Sequence, residues 1–465
     1  YDNFKNFGSV LHYDLVNLTT TYETDYGIAT WSVSEGDYHV KYSDDVTSQY
    51  VPLARGATGQ ANVLKQFGET IDQVLPADSL AEYTLHPDVS KTTSDFQFTS
   101  KRFDNHVEFI AGFFYTHEDY NSYSNTSAYN PQGVLLPHPT IIYQDNSSTY
   151  REFAGYGNVT VYLLNNLDIT GGVRYSNDTE NDYTLGPNAI TYYAPSKGVI
   201  ANSTDNPITY LATLRYRITP DVSTYFRYAT GFRPGGPQTA ALVPAGAQTT
   251  ILPDTTVNYE GGIKGSWWDG RVSVDASVYH INWNNIQLSS SIDGIIVQGN
   301  GGQAQVDGAQ LQTQLRPVRG LVISGDVGYN DARITAISAA TSASLGAHQG
   351  DNLPLTPRYT AGLTADDYFP LIGKYEGTVG GTIRYRSDNP SNYPAVTPAG
   401  ERILPAFTTL DLRAGVRYGR YTAQFRIENI TNTIGYMTAL STLAVPGQGV
   451  VIQPRTFALN FSGSF

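Results

Sequence analysis

TTVNYEGGIKGSWWDGRVSVDASVYHINWNNIQL, residues 255–288, sets the pattern for the rest of the chain. On its first arm Val257, Tyr259, Gly261, Ile263, Gly265 and Trp267 alternate with Asn258, Glu260, Gly262, Lys264 and Ser266. On its second, Val272, Val274, Ala276 and Val278 alternate with Ser273, Asp275, Ser277 and Tyr279. A strand sends successive side chains to opposite faces, so this alternation builds a sheet with one apolar face and one that carries charge. Between the arms, Asp269-Gly270 supplies the positive φ angles of a tight two-residue hairpin. Each arm runs past the roughly 5–6 residues of a mean strand and past the roughly 9–11 that cross a bilayer.

Composition favours strands and turns over helices: the 465 residues include 44 glycines and 35 tyrosines, with 40% apolar residues. No stretch approaches the roughly 18 consecutive apolar residues of a membrane-spanning helix, which excludes a helical bundle but not a barrel, whose strands hide their signal in alternation. A net charge of −13 disfavours nucleic acid as a partner. The absence of cysteine removes disulfide frameworks and thiolate metal sites and suits an exported bacterial protein. Tyr1 stands in mid-pattern with no signal peptide in view, so the chain reads as a fragment of a longer protein.

Outward from the central hairpin lie about 17 strand candidates, from 7–18 and 20–34 at one end to 455–465 at the other. Their connections alternate in length. Short turns fall at Asn17-Leu18-Thr19, Asp104-Asn105, Asn165-Asn166, Thr219-Pro220-Asp221, Asp269-Gly270, 317–320, 370–373 and Gly419-Arg420. Longer connections span 35–90, 123–148, 184–206, 233–254, 336–356, 389–405 and 433–454. The expected fold is all-β: a transmembrane antiparallel β-barrel with short periplasmic turns at one rim and long extracellular loops at the other. Such a barrel starts and ends at the periplasmic rim, so parity predicts an odd number of further strands before Tyr1, five on this reading. Within 35–90, Val63, Leu64, Phe67, Ile71, Val74 and Leu75 recur at helical spacing and predict a short helix, expected to pack on other loops, with a lid over the mouth as the alternative.

The faces support a wide lumen. Ile208, Tyr210, Ala212, Leu214, Tyr216 and Ile218 alternate with positions that include Arg215 and Arg217. Leu410, Leu412, Ala414, Val416 and Tyr418 oppose Asp411, Arg413 and Arg417. A narrow barrel fills its interior with apolar side chains, so this many inward charges call for water or a polar plug. Tyr216, Trp267, Trp268, Tyr418, Tyr421 and Phe465, near the short turns, are expected to form one aromatic girdle at the lipid headgroups. No GxSxG, HExxH, GxxxxGK or EF-hand spacing is present, so the sequence points to no catalytic residue, metal site or cofactor. His117-Glu118 reads as a solvated pair.

The ordered set YFRYATGFRPGGP (residues 225–237), YEGGIK (259–264), NNIQ (284–287), GNGG (299–302), DNLPLTPR (351–358), RIENITNT (426–433) and PRTFALNFSGSF (454–465) resembles the barrel of TonB-dependent outer-membrane receptors. The resemblance covers essentially the whole chain and implies strands 6 to 22 of a 22-strand barrel, with residues 1–465 all barrel. The plug, the TonB box and the first five strands would then lie outside it. It further implies energised uptake of a scarce ligand such as a ferric siderophore, with the TonB complex engaged through the N-terminal part and the bilayer and lipopolysaccharide as surroundings. A passive porin and a structural or adhesive outer-membrane protein remain open on the same architecture. Arg174, Arg227, Arg233, Arg384 and Arg386 are assigned to the inner face and to the loop-side half of their strands. Their planar five-donor guanidinium suits oxyanions, which makes them candidate ligand contacts. The stronger reading is that inward arginines of such barrels pair with carboxylates on neighbouring strands or on the plug, for which Asp411 and Glu428 are available.

Overall fold

The structure, a computed structural model, describes residues 8–185, 199–237, 248, 250–292, 295–393, 402–439 and 449–463. The long strands come first: β1 (Gly8–Glu23), β2 (Gly27–Asp45), β3 (Leu80–Ser100), β4 (Val107–Tyr129), β5 (Leu135–Leu164) and β6 (Leu167–Leu185). There follow β7 (Ile208–Thr219), β8 (Val222–Arg233), β9 (Asp254–Trp267), β10 (Val272–Asn284), β11 (Gly302–Leu315) and β12 (Leu321–Ile337). The chain finishes with β13 (Tyr359–Pro370), β14 (Tyr375–Arg386), β15 (Phe407–Tyr418), β16 (Tyr421–Glu428) and β17 (Thr456–Gly463). Neighbours in sequence pair antiparallel in one 18-stranded sheet, whose remaining member, Val199–Asp205, continues the line of β7 against β6. Counted with β7, that piece leaves the 17 crossings expected from the sequence. Among the described residues β1 pairs only with β2 and β17 only with β16, so the sheet does not close on itself.

The central hairpin keeps its expected register. Trp267 faces Val272 across the ladder, which centres the turn on Asp269 (φ 55°) and Gly270 (φ 78°), and Trp268 joins them in the left-handed region at 52°. The first hairpin departs from expectation. β1 runs straight through Asn17-Leu18-Thr19 to Glu23, and the chain turns at residues 24–26 instead. Thr24 decides this locally: its hydroxyl accepts from the Tyr26 and Gly27 amides at 3.2 and 3.0 Å, closing a turn that a side chain can satisfy. Asn17, read as a turn residue, instead donates across the ladder to Ser32 Oγ and the Val33 carbonyl at 3.4 Å.

Two connections expected to be long are shortened by strand, 123–148 almost entirely and 35–90 at both ends. β2 and β3 leave residues 46–79 between them, and β4 and β5 leave only 130–134. The ladder continues beyond the lipid because backbone pairing needs no apolar side chains, whereas the alternation that betrays a strand in sequence ends where lipid ends. Residues 46–79 hold α1 (Thr47–Ala54), α2 (Ala57–Phe67) and α3 (Ile71–Val74). Val63, Val74 and Leu75 are buried against Ala81, Ala128 and Ile141 of the strand extensions, so the segment packs on the sheet rather than on other loops. Leu64, expected on that face, is 63% exposed, because it sits one position round the helix from Val63.

One face of the sheet is apolar and bare: Val278 is 63% exposed, Phe226 53%, Leu459 60% and Phe461 75%, a continuous band that lipid would cover. Trp267, Trp268, Tyr216, Tyr418 and Tyr421 lie exposed near the short turns, as the girdle requires, and Phe465 falls outside the described residues. On the opposite face tyrosines lie over glycines of the next strand. A Cβ on Gly308 would stand 2.1 Å from the Tyr279 ring, and one on Gly262 would stand 2.7 Å from Tyr225. Tyrosine therefore covers backbone that glycine leaves open.

Candidate inner-face site

Charges on the polar face are set against one another. Arg215 and Arg217 share the buried carboxylate of Asp168 at 3.0 and 2.8 Å, and Arg413 reaches Asp366 at 2.5 Å and Thr382 at 2.9 Å. Tyr225 donates to Glu260 at 2.6 Å. Pairing of this kind is what partly desolvated charges require.

The five candidate arginines all lie on this face, but the structure does not gather them. Arg384 and Arg386 together line a cavity of about 810 Å³ between β13, β14, β15 and the segment after β16. Arg384 is held by Asp411, one of the two carboxylates named as available to the inward arginines. Arg386 meets no carboxylate within ion-pair range among the described residues: its Nη2 donates to Asn389 at 3.2 Å, its Nη1 lies 3.4 Å from Met437 Sδ, and its Nε is buried without a partner. Arg233 pairs with Asp254 and donates to the Gln287 carbonyl at 3.3 Å. Arg174 pairs with Glu152 and lies 5.0 Å from the Phe114 ring centroid. Arg227 stands opposite Glu260 in the register and makes no ion pair among the described residues. Two of the five miss the loop-side half of their strands. Arg174 comes eighth in the 19 residues of β6, which extends further than its sequence pattern, and Arg227 sixth in the 12 of β8.

A second group escaped the sequence reading altogether. On β6, outward Ile169, Val173 and Tyr175 give way to Asn177, Thr179 and Asn181, so the strand leaves the lipid band near residue 176. Beyond that point the inner face stacks acids. Glu152 faces Asp178, which faces Asp205; Glu118 faces Tyr150, which faces Glu180; and Tyr120 is followed across the ladder by Ser148 and Asp182. Burial, then Glu152, pushes Asp178 up to about 6; burial, then Asp182, pushes Glu180 up to about 6; burial raises Asp182 as well. Residues 146–148 had been read as loop, which hid the row, although Asp178, Glu180 and Asp182 at a period of two were its visible signal. His117 and Glu118 are not a unit: His117 bonds Asp119 at 3.0 Å on one face, and Glu118 bonds Lys91 at 2.9 Å on the other.

The sheet closely matches solved outer-membrane receptors. The ferric yersiniabactin uptake receptor FyuA from Yersinia pestis superposes with a TM-score of 0.74 at 16% identity, over 99% of this chain and 62% of that one. The ferric citrate transporter FecA gives 0.65 at 15% identity, over 98% and 62%. In sequence, the pesticin receptor of Yersinia enterocolitica is 25% identical over 334 residues, 69% of this chain and 45% of the relative. The metal-pseudopaline receptor CntO of Pseudomonas aeruginosa is 24% identical over 199 residues, 43% of this chain and 26% of the relative. The chain thus spans less than half the length of these curated relatives. The family profile described as TonB dependent receptor-like, beta-barrel matches residues 1–430, and the chain belongs to that family.

Proposed function

We propose that this chain is the barrel portion of an outer-membrane receptor that takes up a scarce ligand, a ferric siderophore or a similar metal complex. Energy would come from the TonB complex through an N-terminal part outside the 465 residues, with lipid and lipopolysaccharide around the barrel. Three of the relatives named above, FyuA, FecA and CntO, are receptors or transporters of metal complexes, which favours uptake over a passive pore. The observation that carries the reading to residues is Arg386, whose guanidinium has no carboxylate partner among the described residues and lines a cavity of about 810 Å³ beside Arg384. That volume falls in the range of roughly 300–1,000 Å³ typical of small-molecule sites. Carboxylates and other oxyanions are groups that the planar guanidinium fork matches. Arg174, Arg227 and Arg233 remain candidate contacts at other points of the same face.

The test is uptake by a strain lacking the gene, complemented with the full-length protein and offered a panel of ferric siderophores. Replacing Arg384 and Arg386 together by alanine should weaken ligand binding while the barrel stays heat-resistant on a gel. Each lost charge-assisted contact is worth about 1.5–3 kcal/mol. Unchanged affinity in a folded double variant would remove these arginines from the site. High conductance of the full-length protein in a planar bilayer would replace the receptor by a pore.

A further inference from the structure

The acidic row between β4, β5 and β6 encloses a cavity of about 460 Å³ lined by Glu118, Tyr120, Ser148, Tyr150, Glu180 and Asp182 among others. Its charges are unevenly matched. Glu118 has Lys91, and Glu152 in the next row has Arg174. Among the described residues Glu180 receives only a long bond from Ser148, at 3.4 Å. Asp182 is 6% exposed, and among the described residues neither of its carboxylate oxygens has a hydrogen-bond partner at normal geometry, the Ser148 hydroxyl beside it offsetting only part of the cost of burial. Asp178, one row nearer the membrane, is 3% exposed and has one oxygen unpartnered. The chain after β8 closes one side, since a Cβ on Gly236 would come within 2.9 Å of Glu180 Oε2.

A buried carboxylate without a counter-charge either takes up a proton or waits for a cation. A bare metal ion is a poor fit: among the described residues no three carboxylates or histidines converge tightly enough to hold one, and the cavity is far wider than an ion. Carboxylates beside two tyrosine rings and a hydroxyl match a different guest. Ammonium and guanidinium groups donate charge-assisted bonds to carboxylates and gain further attraction over aromatic faces.

We propose that this cavity binds the ammonium or guanidinium end of a small organic cation, with Asp182 and Glu180 as acceptors and Tyr120 and Tyr150 as its aromatic walls. The site is extracellular on the family's topology and so is open to small molecules arriving from outside. Binding is an equilibrium of the purified protein and needs no energy source. Failure of uptake in cells therefore leaves the site standing, and failure of amine binding leaves the receptor reading standing.

Calorimetric titration of the full-length protein in detergent decides it, with agmatine and spermidine as probes and calcium and magnesium chloride as comparisons. Saturable amine binding is expected, weakened at least tenfold in Asp182→Asn and clearly in Glu180→Gln, both still heat-resistant on a gel. Should Asp182→Asn misfold, Glu180→Gln carries the test alone. No saturable binding, or equal affinity in the folded variants, overturns the proposal. Tighter binding of calcium or magnesium than of either amine overturns it in favour of a hydrated metal ion.

Discussion

The two ends of β6 follow different rules on one continuous ladder. From Leu167 to Tyr175 the outward residues are Ile169, Gly171, Val173 and Tyr175, and the strand is legible because lipid demands apolar side chains on one face. From Ser176 to Leu185 the outward Asn177, Thr179 and Asn181 face water, and of the inward acids Glu180 and Asp182 line the acidic cavity, with Asp178 one row nearer the membrane. Both halves keep their backbone bonds, to β5 throughout and to β7 and then Val199–Asp205 in turn. The membrane-spanning half is thus held by its solvent. The outer half needs packing of its own, and on the same ladder the outer ends of β3, β4 and β5 find it in the cluster of Val63, Val74, Leu75, Ala81, Ala128 and Ile141.

The largest effect should come from breaking that packing. Leu75 is wholly buried, and Leu75→Ala in such a core costs about 2–5 kcal/mol. Hydrogen exchange should show the loss confined to residues 46–79 and the outer ends of β3 to β5, with 167–175 still protected. Loss of protection in both halves would mean that the two are one cooperative unit.

Next in size is a charge on the outward face. Val173→Arg, in the lipid band, should destabilise refolding into phospholipid vesicles by about 2–4 kcal/mol, and Thr179→Arg, six residues along the same face, by about 0–1. Equal costs would place residue 179 in lipid and move the acidic cavity into the membrane zone.

The smallest effect is pH, and it should touch one half only. Asp178 and Glu180 hold protons more tightly in the folded chain, at about 6 each, than at their ordinary values of 3.8 and 4.5. A carboxylic acid shifted upward stabilises the folded state as pH falls through the folded value, the gain being complete below the ordinary one. Exchange protection factors in 178–182 should therefore rise between pH 7 and pH 5 while those in 167–175 stay level. Amine affinity should fall over the same interval, since protonated acceptors no longer attract a cation. Level protection in 178–182 would mean that these carboxylates are already neutralised.

How much was readable differs from residue to residue for physical reasons. The hairpin at Asp269-Gly270 could be read because positive φ narrows the choice of residue, and the lipid-facing strands because a period of two is enforced by the bilayer. The turn at 24–26 was missed since Thr24 makes it through a hydroxyl that looks no different from that of a strand threonine. That inward arginines would find partners such as Asp411 was legible from the faces, and the register of β14 against β15 decided that Arg384 is the one it holds. Arg386's lack of a carboxylate partner could not be foreseen, because it depends on how the segment after β16 returns over the sheet with Met437.

Sequence alone therefore determined which side of each membrane-crossing strand meets lipid, how many crossings there are and which rim carries the short turns. Those properties follow from local periodicity and turn chemistry, which act over a few residues. Only the tertiary structure decided where the strands end and which inward charges meet. Glu118, Tyr150 and Glu180 lie on three different strands and become one wall only through the register of β4, β5 and β6, a relation that no local pattern encodes.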